Sequence, residues 1–287
     1  MKIFARISLI FLSFVLILPY TVSKADSMDL NMVFVPASEK GDDQDYVNLI
    51  KIIGDLTGIK ITPIRVTDYN AAVEAVRANR AQIAWYGGKT YIQAVEIADV
   101  EAFAAGVRKG DSDASYFAYF VVPSDSELMT LKDVKGTKLA LNSIGSTSGD
   151  LIPQVELMKA GLSVKNKDDF ERVFYAGSHD ACLMAAINKH VDVCGMSSRN
   201  FDARVADGTL DPSLVRIIHR STPVPPPPLA YSKKLPLEIR NKIKTATLEA
   251  HKYGRIGGYG GEMSHYIEIT DSDYDLLREV DKLLNSQ

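Results

Sequence analysis

Asn142-Ser143-Ile144-Gly145-Ser146-Thr147-Ser148-Gly149-Asp150 is the stretch on which the fold turns. It follows a strand-like run, Thr137–Leu141, and leads into a helix-like run from Leu151. Three hydroxyl residues stand between two glycines at a strand-to-helix junction. The first turn of a helix leaves backbone N–H groups without internal partners, and its dipole adds partial positive charge. Glycines let those N–H groups approach a ligand closely, and Ser and Thr add hydroxyl donors. Two readings fit the stretch alone: an ordinary Ser/Thr helix cap, or a cradle for a phosphate-like oxyanion. The surrounding chain has to choose.

Downstream, strand and helix patterns alternate. A helix over Leu151–Ala160, a strand around Arg172–Tyr175, a helix over His179–Lys189 and a strand over Val191–Met196 follow, then a helix from near Arg199 to Gly208. Val215–Arg220 reads as a strand. Residues 221–231 hold five prolines, a stiff extended segment that serves as a surface linker or as a crossover back to the first block. Helices near Leu237–Lys252 and Asp271–Leu284 close the chain. Upstream, strands at Asp29–Val35, Ile59–Val66, Gln82–Trp85 and Val100–Val107 alternate with helices ending at Gly58, Asn79 and Ile97. Pro63 restricts its strand to an edge or an end. Ser115–Val122 reads as a further strand. The alternation predicts largely parallel sheets covered on both faces.

The layout is α/β, in two lobes, with the chain crossing near Val121–Ser124 and again near Ser221–Leu229. Residues 26–122 plus 224–287 form lobe 1 and residues 123–223 form lobe 2. Two crossings make a hinge, and the cleft between the lobes is the expected ligand site.

The N-terminus limits the function classes. Lys2 and Arg6 precede an apolar run, Ile7–Pro19, and Ser23-Lys24-Ala25 supplies small residues for cleavage before Asp26. Residues 1–25 therefore read as a secretory signal peptide, and the mature protein as soluble and not membrane-spanning. Its 262 residues carry 30 basic and 36 acidic side chains, a net charge of −6. That balance argues against nucleic acid, so an anion must be held by local donors. Cys182 and Cys194 are the only cysteines. In an oxidising compartment they either pair or remain free.

Trp85-Tyr86-Gly87 ends a strand, where it either walls a pocket or fills the core. His179 starts a helix, where its ring N–H can serve an oxyanion or sit in solvent. Asp180 beside it reads as a carboxylate favoured by the helix dipole, and Tyr69 as surface or core. No catalytic constellation, Walker loop or metal-binding histidine spacing occurs. No cofactor is implied.

With these pieces in order, the chain resembles the periplasmic phosphonate-binding proteins of ABC importers, within the wider phosphate/phosphite/phosphonate-binding family. The resemblance runs from about 30 to 280. It rests on Thr67-Asp68-Tyr69, Ile83-Ala84-Trp85-Tyr86-Gly87, Ser146-Thr147-Ser148-Gly149, Ala176-Gly177-Ser178-His179, Val191-Asp192-Val193 and the proline-rich return at 223–228. It implies a type II two-lobed binding protein that closes on its ligand, a monomer in the periplasm, with a membrane permease as partner. By resemblance, Ser146, Thr147, Ser148 and His179 hold the phosphonyl oxygens from one lobe. Tyr69 and Tyr116 face them from the other, with Ser115 and Phe117 as alternatives to Tyr116. Two positions depart from the family. Arg199 and Pro227 stand where aminoalkylphosphonate binders carry acidic residues, so an aminophosphonate is expected to bind weakly. A small oxyanion such as phosphate, phosphite or methylphosphonate remains, or a phosphonate with a second anionic group pairing with Arg199 should that residue face the cleft and not solvent. A periplasmic sensor for a receptor kinase would use the same cleft.

Overall fold

The computed structural model describes residues 28–39 and 42–286. The expected signal peptide lies outside these residues. In chain order the strands and helices are β1 (Asp29–Phe34), α1 (Val47–Thr57), β2 (Lys60–Arg65), α2 (Tyr69–Arg77), β3 (Ile83–Trp85), α3 (Gly88–Ala98) and β4 (Val100–Arg108). The second block holds β5 (Ala118–Pro123), β6 (Lys138–Leu141), α4 (Ile152–Lys159), β7 (Arg172–Tyr175), α5 (His179–Ile187), β8 (Val193–Ser197), α6 (Ser198–Ala206) and β9 (Val215–Arg220). The chain ends with β10 (Leu229–Ser232), α7 (Leu237–Glu249), β11 (Ile256–Gly258), β12 (Gly261–Glu268) and α8 (Asp275–Asn285).

Local chemistry fixes most of these boundaries. Helix α1 buries Leu49, Ile50 and Ile53 on one face, and Gly58 ends it in the left-handed region, a conformation that glycine adopts without steric cost. The Asp68 carboxylate caps α2 by accepting from the Ala71 N–H at 2.8 Å. Ser178 caps α5 in the same way, accepting from Ala181 N–H at 3.0 Å.

Two sheets carry the two lobes. The first is seven-stranded, in the order β11-β12-β4-β10-β3-β1-β2. Pro63 lies in β2, at the edge, where a missing N–H costs no ladder bond. The second sheet is five-stranded, in the order β7-β6-β8-β5-β9. Neither sheet is as parallel as the alternating pattern predicted. β1 pairs in parallel with β2 and β3, but β10 pairs antiparallel with both β3 and β4. β10 returns from the second lobe and inserts between strands made much earlier. It and the glycine-rich hairpin β11–β12 were not expected as strands, because four or fewer residues in β10 and β11 give too short a periodic signal.

The first crossing also differs from the sequence reading. β5 pairs with β8 and β9, so it belongs to the five-stranded sheet. The expected boundary at 122/123 therefore falls inside a strand, and the crossing precedes it, between Arg108 and Ala118. The return crossing lies where it was expected, between β9 and β10. The two crossings meet: Tyr116 and Val224 exchange backbone hydrogen bonds at 3.3 and 2.8 Å. This two-stranded contact is the hinge.

One apolar core fills the first lobe, and two smaller ones cover the faces of the second sheet. Leu151, Ile152 and Val155 of the second block pack into the first-lobe core, so the lobes meet around α4. Cys182 and Cys194 form a disulfide between α5 and β8. Closing that short loop restricts the unfolded chain, by about 3 kcal/mol on the chain-entropy account.

Candidate functional site

Both lobes present the C-terminal ends of their strands to one another, and a small cavity lies between them. From the first lobe come Val35 and Ala37 after β1, Tyr69 at the start of α2, Trp85 and Gly87 at the end of β3, and Tyr259 from the β11–β12 turn. From the second come Ser146, Thr147, Ser148 and His179, while Tyr116 and Pro227 enter from the two crossings. The cavity encloses about 10 Å³, close to the space one water-sized group occupies. A larger depression, about 620 Å³, lies outside between α1 and α7. The interlobe cavity is the stronger candidate because buried polar groups converge there.

The cradle at Asn142–Asp150 is tied at every turn. Ser146 is the cap, and its Oγ accepts from Gly149 N–H at 3.1 Å. Leu151 N–H reaches back to the Ser146 carbonyl at 3.1 Å, making a π-helical turn over Thr147–Leu151, a form often found at functional sites. Asn142 N–H donates to the Gly149 carbonyl at 2.8 Å. Gly145, at φ 95°, passes so close to Tyr69 that a Cβ there would sit 2.9 Å from the tyrosine Cβ. The cap reading of the stretch is realised, since Ser146 caps the helical turn, and the same turn lines the cavity.

The first lobe holds the cradle from outside the cavity. Lys89 N–H, in the first turn of α3, donates to Thr147 Oγ1 at 2.9 Å. Thr90 Oγ1 donates to the Gly145 carbonyl at 2.9 Å. Lys89 Nζ pairs with Asp150 at 2.6 Å, and the Asp150 side chain is 1% exposed. Tyr175 also donates to this carboxylate, at 2.8 Å. The sequence reading singled out neither Lys89 nor Asp150 for this role. The Gly87-Gly88-Lys89-Thr90 junction was the available signal, since it opens a helix just as the cradle does.

His179 is buried and lines the cavity. Ser197 N–H donates to its Nδ1 at 3.2 Å, so the neutral ring carries its proton on Nε2. The Asn142 amide faces Nε2 at 3.0 Å. Turned over, that amide presents its oxygen to the ring, which gives Oδ1 the partner it otherwise lacks. Burial pushes the imidazole from its ordinary 6.5 down to about 3, against the opposing Asp180 charge. The unfolded chain therefore takes up this proton near pH 6.5 and the folded chain near 3. The stability held by neutral His179 is complete above about pH 6.5 and is lost as pH falls through that window, at up to about 1.4 kcal/mol per unit. His179→Asn is expected to flatten the fall in melting temperature over this range. Parallel pH profiles for both proteins would contradict it.

Asp180 does more than favour its helix dipole. Its carboxylate accepts from Arg204 Nε at 2.6 Å and from the first-lobe Glu39 N–H at 3.0 Å. Tyr116 stands behind Thr147 and Ser148. Burial raises its phenol above the ordinary value, which keeps the proton and leaves it able to donate. Tyr69 is 2% exposed, and its hydroxyl meets Asn142 Nδ2 at 3.4 Å.

Arg199 requires a correction. It neither faces solvent nor lines the cavity. Its side chain is buried beyond Tyr116, with the guanidinium carbon 5.8 Å from that ring's centre. Nη2 donates to the Ala114 carbonyl at 2.7 Å and the Gly106 carbonyl at 3.3 Å, and Nη1 to the Tyr259 carbonyl at 3.3 Å. Its Cβ-bearing backbone on α6 belongs to the second lobe and all three acceptors lie on the first lobe or the crossing, so it ties the lobes together. Pro227 does line the cavity, as expected. No Asp, Glu, Lys or Arg stands among the twelve lining residues, and the described residues hold no cluster suited to a metal ion.

The profile of the family described as "ABC transporter, phosphonate, periplasmic substrate-binding protein" matches residues 32–274. The chain belongs to this family of periplasmic substrate-binding proteins.

Among relatives, the Phosphonates-binding periplasmic protein of Escherichia coli is 29% identical over 191 residues, 65% of this chain and 55% of that protein. The chain thus spans about half the length of that relative. The Phosphate-import protein PhnD of Mycolicibacterium smegmatis is 25% identical over 278 residues, covering 90% of this chain and 86% of its own. Among solved structures, PhnD1 of Prochlorococcus marinus in complex with methylphosphonate superposes with a TM-score of 0.79 at 19% identity, covering 90% of this chain and 99% of that one. This likeness establishes the two-lobed type II fold of the periplasmic binding protein.

Proposed function

We propose that the chain is the extracytoplasmic component of an ABC importer and captures a small phosphonate-type oxyanion between its lobes. Ser146, Thr147 and Ser148, with the helix N-terminus behind them, hold the anionic oxygens. His179, Tyr69 and Tyr116 complete the wall. The ligand touches one lobe when the cleft is open and both when it is shut, which gives closure its driving force. The signal peptide directs the chain to the periplasm, where it works as a monomer, delivers its ligand to a permease and carries out no chemistry. Both curated relatives above are named as binding or import components, which favours this role over a receptor-kinase sensor.

One observation carries the ligand class. The cavity is walled by hydroxyls, an imidazole, aromatic rings and Pro227, with no carboxylate. A buried ammonium would have no counter-charge there, a loss of several kcal/mol. Calorimetry across phosphate, phosphite, methylphosphonate and 2-aminoethylphosphonate tests this. The amino compound is expected to bind at least about tenfold more weakly than the best of the others. Tightest binding of the amino compound would reverse the assignment.

A further inference from the structure

Trp85 ends β3 with its side chain 2% exposed, in the wall opposite the Ser146–Ser148 cradle. Its ring is held by Tyr259, 4.9 Å away between centres, and by Tyr46 at 5.9 Å. Its Nε1–H is buried and has no acceptor in the protein. A buried indole N–H ordinarily finds a partner, and leaving one unmet is destabilising. Other buried polar atoms without partners include Tyr86 Oη and the Nε of Arg216 and Arg240, but none of these residues lines the cavity.

We propose that the Trp85 indole N–H is a ligand donor of the first lobe, given to a deprotonated P–O⁻ oxygen of the bound oxyanion. This rests on the oxyanion reading above and extends it in two ways. An indole N–H donates and cannot accept, so it favours an ionised oxygen over a P–OH group at that position. Because β3 belongs to the first lobe and the Ser/Thr cradle to the second, this donor also couples the anion to closure. The indole forms its bond only when the lobes meet around the ligand.

Trp85 is the only tryptophan in the chain, which gives a direct readout. A ¹⁵N-labelled sample shows one folded-state indole resonance. Inorganic phosphate and methylphosphonate are the probes. Whichever of them calorimetry shows to bind the unaltered protein is expected to move the indole proton downfield. Trp85→Phe, which keeps an aromatic ring and removes the N–H, is expected to lose roughly 10–100-fold in affinity, the range for a hydrogen bond to a charged group. A stationary indole resonance on saturation, or Trp85→Phe binding as tightly as the parent while Thr147→Ala binds more weakly, would overturn the proposal and leave the oxyanion reading standing. Absence of binding by the unaltered protein to either probe would overturn both. The resonance experiment needs no variant, so a Trp85→Phe protein that fails to fold does not block the test.

Discussion

Gly149→Ala is expected to lower affinity for the oxyanion by about 100-fold or more while the two lobes remain folded. A Cβ at this position would sit 2.3 Å from Asn142 Cβ, 2.9 Å from His179 Cε1 and 3.0 Å from Ser146 Oγ. The first contact is with an atom bonded directly to the backbone, so no side-chain rotation relieves it. The Asn142 N–H bond to the Gly149 carbonyl, at 2.8 Å, must stretch as the turn opens. His179 and Ser146 of the proposed site are displaced together with Asn142, and overpacking of this kind costs about 1–3 kcal/mol in its own right. Calorimetry with the tightest-binding probe, beside a thermal melt, measures both effects. Affinity within about threefold of the parent would show that the turn does not hold the ligand.

The second large effect concerns closure. In Lys89→Met the buried Asp150 carboxylate keeps Tyr175 and Gln154 as hydrogen-bond partners, at 2.8 and 2.6 Å, but loses the one cation paired with it among the described residues. Removing one member of a buried pair costs about 3–5 kcal/mol when the other charge stays buried. Lys89 and Asp150 stand on different lobes, so opening the cleft rehydrates Asp150. The penalty should therefore fall on the closed, ligand-bound form and less on global unfolding. Affinity is expected to drop by at least about 100-fold, with a much smaller change in the ligand-free melting temperature. Lys89→Met/Asp150→Asn should regain part of that loss, because the uncompensated charge is gone. Equal losses in ligand-free stability and in affinity would show that the pair supports the fold and not closure.

The same geometry separates residues that the chain order exposes from those it hides. Ser146, Thr147, Ser148, His179, Tyr69, Tyr116 and Pro227 all line one cavity, and each was marked by a strand-to-helix junction or by family resemblance. Arg199 was marked too, on the premise that a cation in an acidic residue's place would meet the ligand. Its position along the chain matched, but its side chain turns to three carbonyls at 2.7–3.3 Å. Sequence position fixes where a side chain starts and not which way its rotamer carries the charge.

By itself, then, the sequence determined the alternating elements, the edge or end placement of Pro63 and the strand-to-helix junction at Asn142–Asp150. Each depends on a few neighbouring residues whose backbone chemistry is local. Only the tertiary structure decided that β5 joins the second sheet, that β10 inserts between β3 and β4, that Cys182 and Cys194 pair, that Lys89 meets Asp150, and that Trp85 lines the cavity while its buried N–H has no partner. Those outcomes depend on partners tens to hundreds of residues apart, brought together when apolar faces leave water, and no local pattern records the choice.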